Sequence, residues 1–503
     1  VDLFLTVNGQ VRGRRTASGV VAVLGIPYAA PPFGPDRFKA PRPAPAWRGV
    51  RDCVAFGPVA PQSAELPGAP AWSPGDEDVL SLNVWTNTDG NGTAKRPVLV
   101  WIHGGAYTFG SSAQPDFDGT ALVRAGLVVV TLNYRLGFEG FGHIPDADGS
   151  DFPDNRGLLD QIAALEWVRD NIAAFGGDPA NVTVAGQSAG ATSVACLTVM
   201  ERARGLFHRA VAHSLVGPVY SRQLAADTTR LVADAAEVPV TAAGLTAASP
   251  DDLVRASDRV ADRLRADPAA GPRYYDPVLY GPVADGVLLP ADPLAVDPAD
   301  RADVDLLVCH TTEEYWLLDA VGSSKKILTD SELGTFARDF GLPGDLVPAY
   351  RALRPDAPVL DLYLAIFGDM SFGEYSSRFA DRHAHAGRRT YLSRFARKRV
   401  TEGGVVRPWH CADIPFTFGV LDAPEVAFLI GGPPTAEDHE LSRRMVRAWA
   451  DFAATGEPGW GTDTVRIWGA QDEGDEEDQG DQGDTYDGFR AAWRSADYAR
   501  VHP

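Results

Sequence analysis

Residues Gly186-Gln187-Ser188-Ala189-Gly190 lie directly between an apolar run, Val182-Thr183-Val184-Ala185, and a helix-forming run, Ala191-Thr192-Ser193-Val194-Ala195-Cys196-Leu197. G-x-S-x-G alone is weak, expected ~0.2 times by chance in a chain this long and this rich in glycine. A strand before it and a helix after it turn the pattern into a nucleophile elbow. The serine then sits on a sharp, strained turn, and a side chain at either glycine would collide with the packed strand or helix.

An elbow of this kind needs a parallel sheet around it. Pro97-Val98-Leu99-Val100-Trp101-Ile102 and Gly126-Leu127-Val128-Val129-Val130-Thr131-Leu132 are continuous apolar runs, as expected of central strands covered on both faces. Leu158 to Ala174 reads as an amphipathic helix stopped by Gly176-Gly177. Val304 to Cys309 returns to a buried strand. The alternation predicts a mostly parallel, twisted α/β sheet with helices on both faces. Residues 222–300 and 336–400 are helical in pattern and read as cap insertions within one large domain spanning 1–503. The acidic run 471–484 reads as a mobile, solvated loop.

A serine hydroxyl is a poor nucleophile near neutral pH and needs an imidazole to take its proton. A carboxylate must fix the tautomer of that imidazole and stabilise its charged form. In this architecture the order is serine, acid, histidine, each on a loop after a core strand. The loop after 304–309 offers Glu313 and Glu314, and spacing does not choose between them. His383 and His385 fall in a helical stretch, expected at the surface or weakly metal-like by their H-x-H spacing. His439 also lies in a helix and His502 at the terminus, which leaves the loop residue His410 as the base. His103-Gly104-Gly105-Ala106, directly after strand 98–102, is the HGG-type loop whose backbone N–H groups join that of Ala189 in holding a tetrahedral oxyanion.

Net charge is −21, from 46 basic and 67 acidic residues, which argues against a nucleic-acid surface. No apolar run reaches the 18 or so residues of a membrane-spanning helix. Cys53, Cys196, Cys309 and Cys411 have no framework spacing, so four free thiols and a reducing, cytoplasmic location are expected. The chain does not begin with Met, and secretion through a removed leader stays open. Asn91-Gly92-Thr93 matches a glycosylation acceptor but reads as a turn.

At this point the chain resembles the type-B carboxylesterases, the carboxylesterase/cholinesterase branch of the α/β-hydrolases, over nearly its whole length. It looks most like the bacterial para-nitrobenzyl esterase-like members. The likeness is carried by Gly25-Ile26-Pro27-Tyr28-Ala29, Arg37-Phe38, Glu77-Asp78, Leu82-Asn83-Val84-Trp85 and Asn133-Tyr134-Arg135-Leu136-Gly137. Gly157-Leu158-Leu159-Asp160-Gln161, Phe175-Gly176-Gly177-Asp178-Pro179 and Thr455-Gly456-Glu457-Pro458 add to it. The resemblance implies the α/β-hydrolase fold with Ser188, Glu314 and His410 as catalytic triad. It also implies oxyanion donors at Gly105, Ala106 and Ala189, with Gly104 shaping that loop and Ser214 supporting the acid. Leu215 and Tyr107 would line the substrate pocket. Arg37–Glu77 and Arg135–Asp160 would be buried structural ion pairs. No cofactor or metal is implied.

The chain departs from the family pattern at Gln187, where most relatives carry Glu, and at Leu215, Cys309 and Tyr315, where glycine is usual; Val79 replaces a disulfide cysteine. The expected function is a serine carboxylester hydrolase working through an acyl-enzyme on small to medium, mostly uncharged esters. The alternatives are a carbamate or amide hydrolase with the same triad, a biosynthetic acyltransferase or cyclase, and a catalytically inert binding protein. A small-molecule ester is the expected partner, with neither nucleic acid nor membrane, and the chain is expected as a monomer or weak homo-oligomer.

Overall fold

The computed structural model describes residues 2–63, 71–88, 94–145, 151–217, 219–402, 404–469 and 482–496. Most of the acidic run and the Asn91 triplet lie outside them; residues 482–484 open the helix Gln482–Ala492.

The centre is a ten-stranded sheet. Its strands are β1 (Arg14–Arg15), β2 (Val21–Pro27), β3 (Ser81–Thr86), β4 (Arg96–Ile102) and β5 (Val128–Leu132). They continue as β6 (Gly177–Gln187), β7 (Arg209–His213), β8 (Asp305–Thr311), β9 (Thr390–Phe395) and β10 (Val465–Trp468). Across the sheet the order is β10-β9-β8-β7-β6-β4-β5-β3-β2-β1. Pairing is parallel from β10 through β5 and antiparallel from β5 to β1. Every residue of β5 is buried, as is every residue of β4 from Val98 on, which is why these strands carry no polar alternation.

Register decides where function can be built. His213 at the end of β7 pairs with Gln187 of β6 on one side and Cys309 of β8 on the other. Ile102 at the end of β4 lies beside Gly186. The loops that follow four neighbouring parallel strands therefore leave the sheet at one edge, where open α/β sheets form their binding crevice.

The helix expected over 158–174 spans Arg156–Asn171 and tightens into a 3-10 turn, Ile172–Phe175, before Gly176 closes it at φ 78°. Between β7 and β8 the chain inserts the helices Arg222–Ala235 and Pro250–Ala266, the latter opened by a reciprocal Ser249–Asp252 capping box. Between β8 and β9 lie the helices Asp330–Asp339, Leu346–Leu353, Val359–Gly368 and Glu374–His385, the last two bridged by a π-helical turn, Asp369–Gly373.

Two expectations are corrected. Arg37 pairs with Glu139, not Glu77: its Nη2 lies 2.6 Å from Glu139 Oε1, whereas Glu77 is exposed. Arg37 also donates to the carbonyls of Thr246 and Ala248, so it clasps the first insertion to the loop after β5. His383 is buried, with its Nε2 2.8 Å from the Val304 carbonyl, while His385 is exposed. Two positions apart on a helix point to nearly opposite sides, so this H-x-H cannot grip one ion. Arg135 and Asp160 do form the expected buried pair, with contacts of 2.7 and 2.8 Å. Among the described residues no helix is long and apolar enough to cross a membrane, and all four cysteines are free.

Candidate active site

Ser188 sits between β6 and the helix Ala189–Leu197 with φ 56° and ψ −124°. A non-glycine residue there stores roughly 1–3 kcal/mol of strain, held only because its surroundings over-determine it. A Cβ on Gly186 would come within 2.5 Å of the Gly190 backbone, and one on Gly190 within 2.1 Å of the Ile102 carbonyl. Both glycines are thus required by close approach. The Ser188 N–H donates to the His213 carbonyl at 2.8 Å, fixing the turn to the end of β7.

His410 Nδ1 lies 2.6 Å from Glu314 Oε2, and the His410 N–H donates to the Glu314 carbonyl at 3.0 Å. The other Glu314 oxygen accepts from Ser214 Oγ at 2.6 Å and from the Thr311 N–H at 2.8 Å. Glu313 points elsewhere, paired with Lys398 at 2.6 Å and Arg407 at 2.8 Å. The choice that spacing left open is made by geometry: Glu314 is the residue that meets the imidazole.

The loop 104–107 carries three consecutive positive φ angles: 108° at Gly105, 50° at Ala106 and 58° at Tyr107. A Cβ on Gly105 would meet the Phe109 carbonyl at 2.0 Å, so the position admits only glycine. The N–H groups of Gly105 and Ala106 make no hydrogen bond among the described residues. The Ala189 N–H opens its helix, where the first donors have no partner inside the helix. His103 anchors the loop through Nδ1, 2.7 Å from the Gly104 carbonyl, and its ring stacks on Tyr134. Burial pulls its pKa down to about 4, so near neutral pH it is an uncharged strut.

The other face of His410 holds a surprise. Its Nε2 lies 2.9 Å from the side-chain nitrogen of Gln187, which also donates to Cys411 Sγ at 3.1 Å. The Ser188 hydroxyl makes no hydrogen bond among the described residues. Phe372, carried on the π-helical turn, packs on the imidazole with ring centres 4.3 Å apart. Burial works against a charged imidazole here, but Cys411 and Glu314 outweigh it and raise His410 well above its ordinary pKa.

A second carboxylate–imidazole pair is built on the last residue of β7. His213 Nδ1 is 2.6 Å from Asp413 Oδ2, and Trp449 Nε1 donates to His213 Nε2 at 2.8 Å. With Cys309 these form a buried cluster of metal-ligating residue types. Both imidazole nitrogens are already engaged, and 2.6 Å is a hydrogen-bond separation rather than that of two ligands around one ion. It is a hydrogen-bonded support under the turn that carries Ser188.

Leu215 is fully buried in the core, and its N–H donates to Ser376 Oγ at 3.0 Å; it presents no surface to an open pocket. Tyr107 is buried, donates to the Ala189 carbonyl at 2.6 Å and ties the glycine loop to the helix behind Ser188. Reasoning from sequence missed Phe372, which no motif marks, and the His213–Asp413–Trp449 cluster. Only the polar residues in otherwise apolar stretches, such as His213 closing Ala210-Val211-Ala212, hinted at the latter.

A serine on a strained strand-to-helix turn, beside a carboxylate-bound imidazole and a glycine loop at one sheet edge, defines a serine hydrolase of the α/β-hydrolase fold. The Carboxylesterase family model matches residues 2–341 and 350–478. The para-nitrobenzyl esterase of Bacillus subtilis is 34% identical over 465 residues, covering 91% of this chain and 90% of that protein. The phenmedipham hydrolase of Pseudarthrobacter oxydans is 32% identical, covering 90% and 89%. Among solved structures, the Geobacillus stearothermophilus carboxylesterase at pH 6.2 superposes with a TM-score of 0.82 at 34% identity, covering 98% of this chain and 100% of that one. A para-nitrobenzyl esterase structure gives 0.77 at 32% identity, covering 91% and 92%. The chain belongs to the carboxylesterase family and is a carboxylic ester hydrolase.

Proposed function

We propose that Ser188 is the nucleophile, His410 the general base and Glu314 the residue that orients it. Oγ of Ser188 bonds to the ester carbonyl carbon while its proton passes to His410 Nε2. The carbonyl electron pair moves onto oxygen, where the N–H groups of Gly105, Ala106 and Ala189 receive it; one such donor contributes about 2.7–4 kcal/mol in comparable sites. His410 then returns the proton to the departing alkoxide, and water repeats the sequence on the acyl-enzyme. The observation that supports this reading most is the 2.6 Å Glu314–His410 contact at the sheet edge that carries the strained Ser188 turn.

The substrates we infer are small to medium, mostly uncharged esters, taken by a chain that binds neither nucleic acid nor membrane and acts as a monomer or weak homo-oligomer. Residues 222–300 and 336–400 are read as caps on one hydrolase unit spanning 1–503. Four free cysteines support a reducing, cytoplasmic setting. Carbamate or amide cleavage by the same residues is separated from ester cleavage by comparing p-nitrophenyl butyrate with the matching p-nitroanilide.

Ser188→Ala is expected to abolish p-nitrophenyl butyrate hydrolysis while the melting temperature stays near wild type. Phosphonate labelling on any other residue overturns the assignment.

A further inference from the structure

Glu314 holds the Nδ1 proton of His410, so a neutral His410 carries its lone pair on Nε2. That lone pair must accept the Ser188 proton. Instead it faces the Gln187 amide nitrogen at 2.9 Å, and the same NH₂ group reaches Cys411 Sγ with its other hydrogen at 3.1 Å. Gln187 is buried, and its Oε1 turns toward Gly104, where a Cβ would lie only 2.6 Å away. The bare α-carbon of Gly104 makes room for this amide.

We propose that Gln187 is a positioning residue that caps the lone pair of the base, holding His410 in a resting state from which the Ser188 hydroxyl must displace it. The proposal rests on the assignment of Ser188 and His410 given above. Once Ser188 has given up its proton, Nε2 becomes a donor, and a half-turn of the Gln187 amide presents Oε1 to it. An uncharged amide thus serves both protonation states of the imidazole and favours neither by charge. A carboxylate at position 187 would offer only acceptors and would hold the imidazolium. The titratable groups facing His410 are Glu314, from the loop after β8, and Cys411, from its own loop; Phe372 and Gln187 are uncharged, and the π-helical turn that carries Phe372 also bears the buried Asp369, pushed up to about 7 by burial.

The test is phosphylation by diethyl p-nitrophenyl phosphate, followed by p-nitrophenol release and by mass spectrometry of the adduct. Rates are normalised to the number of titratable sites and accompanied by melting temperatures. Gln187→Met keeps the side-chain length without an N–H donor. Its second-order rate constant is expected to rise about two- to tenfold, the worth of one net hydrogen bond. Gln187→Glu is expected to move the acid-limb midpoint of the labelling rate upward by about one pH unit. An unchanged or slower rate in the Met variant overturns the cap, as does a fixed or lowered midpoint in the Glu variant. If the Met variant does not fold, the Glu midpoint decides. An adduct on a residue other than Ser188 in the wild type overturns the site assignment and the cap with it.

Discussion

Two buried carboxylate–imidazole pairs stand side by side, each with Nδ1 2.6 Å from its carboxylate oxygen: Glu314–His410 and Asp413–His213. What separates them is the far nitrogen. In His213 it accepts the indole N–H of the fully buried Trp449, a donor locked in the core. In His410 it meets the amide of Gln187, a side chain with rotatable bonds at the edge of the crevice. A short contact to an acid does not make an imidazole a base. On the reading proposed above, a displaceable partner on its other nitrogen does.

The sharpest way to break that comparison is to neutralise each acid in turn. Glu314→Gln is expected to lower kcat by ~10⁴, as the tautomer of the base is lost. Asp413→Asn is expected to leave kcat within about tenfold while lowering the melting temperature, since a disturbed buried polar pair costs about 1–3 kcal/mol. Glu313→Gln serves as the control and should cost little, because Lys398 and Arg407 are its partners. Equal rate losses at Glu314 and Asp413 would mean both pairs take part in chemistry. A larger loss at Glu313 than at Glu314 would move the acid by one residue.

Leu215 directly follows Ser214, whose hydroxyl donates to Glu314. Replacing this buried side chain by glycine is expected to cost about 2–5 kcal/mol of stability through the cavity left behind. Preference across a series of acyl chain lengths should stay unchanged. Branched or aromatic acyl esters gaining on acetate would restore Leu215 as a pocket residue.

The smallest effect is a displacement along the pH axis. His410 is raised above its ordinary value, so acidification protonates the base earlier than it would a free imidazole. The acid limb of kcat/KM should therefore have its midpoint above about 6.5, with activity lost as pH falls through it. A midpoint at or below that value would mean that burial, not the neighbouring groups, governs the base.

Much of the architecture was legible because it depends on local pattern. Short unbroken apolar runs such as Val98–Ile102, closed by glycine loops, read as strands covered on both faces, and a serine between such a strand and a helix fixes the direction of the sheet. Ser188, Glu314 and His410 could be assigned to separate loops, and those loops meet at the strand ends. What stayed hidden depends on contacts between distant segments. Arg37 finds Glu139 across 102 positions, and His213 finds Trp449 across 236. Neither separation has a period that a sequence displays. The π-helical turn that carries Phe372 closes its hydrogen bonds one residue later than an α-helix, which no hydrophobic pattern records. The burial of His383 reflects which face of its helix the strand Asp305–Thr311 covers, and helix periodicity alone does not choose that face.

His103 gives the loop 104–107 an insulation that His410 lacks. Its imidazole, with a pKa of about 4, is uncharged across the range in which His410 gains and loses its proton. The strut under Gly104 and Gly105 therefore keeps one charge state while His410 changes its own. Any pH dependence traced to His410 is therefore read against a loop whose own imidazole keeps a constant charge, much as an electrode is read against a reference cell.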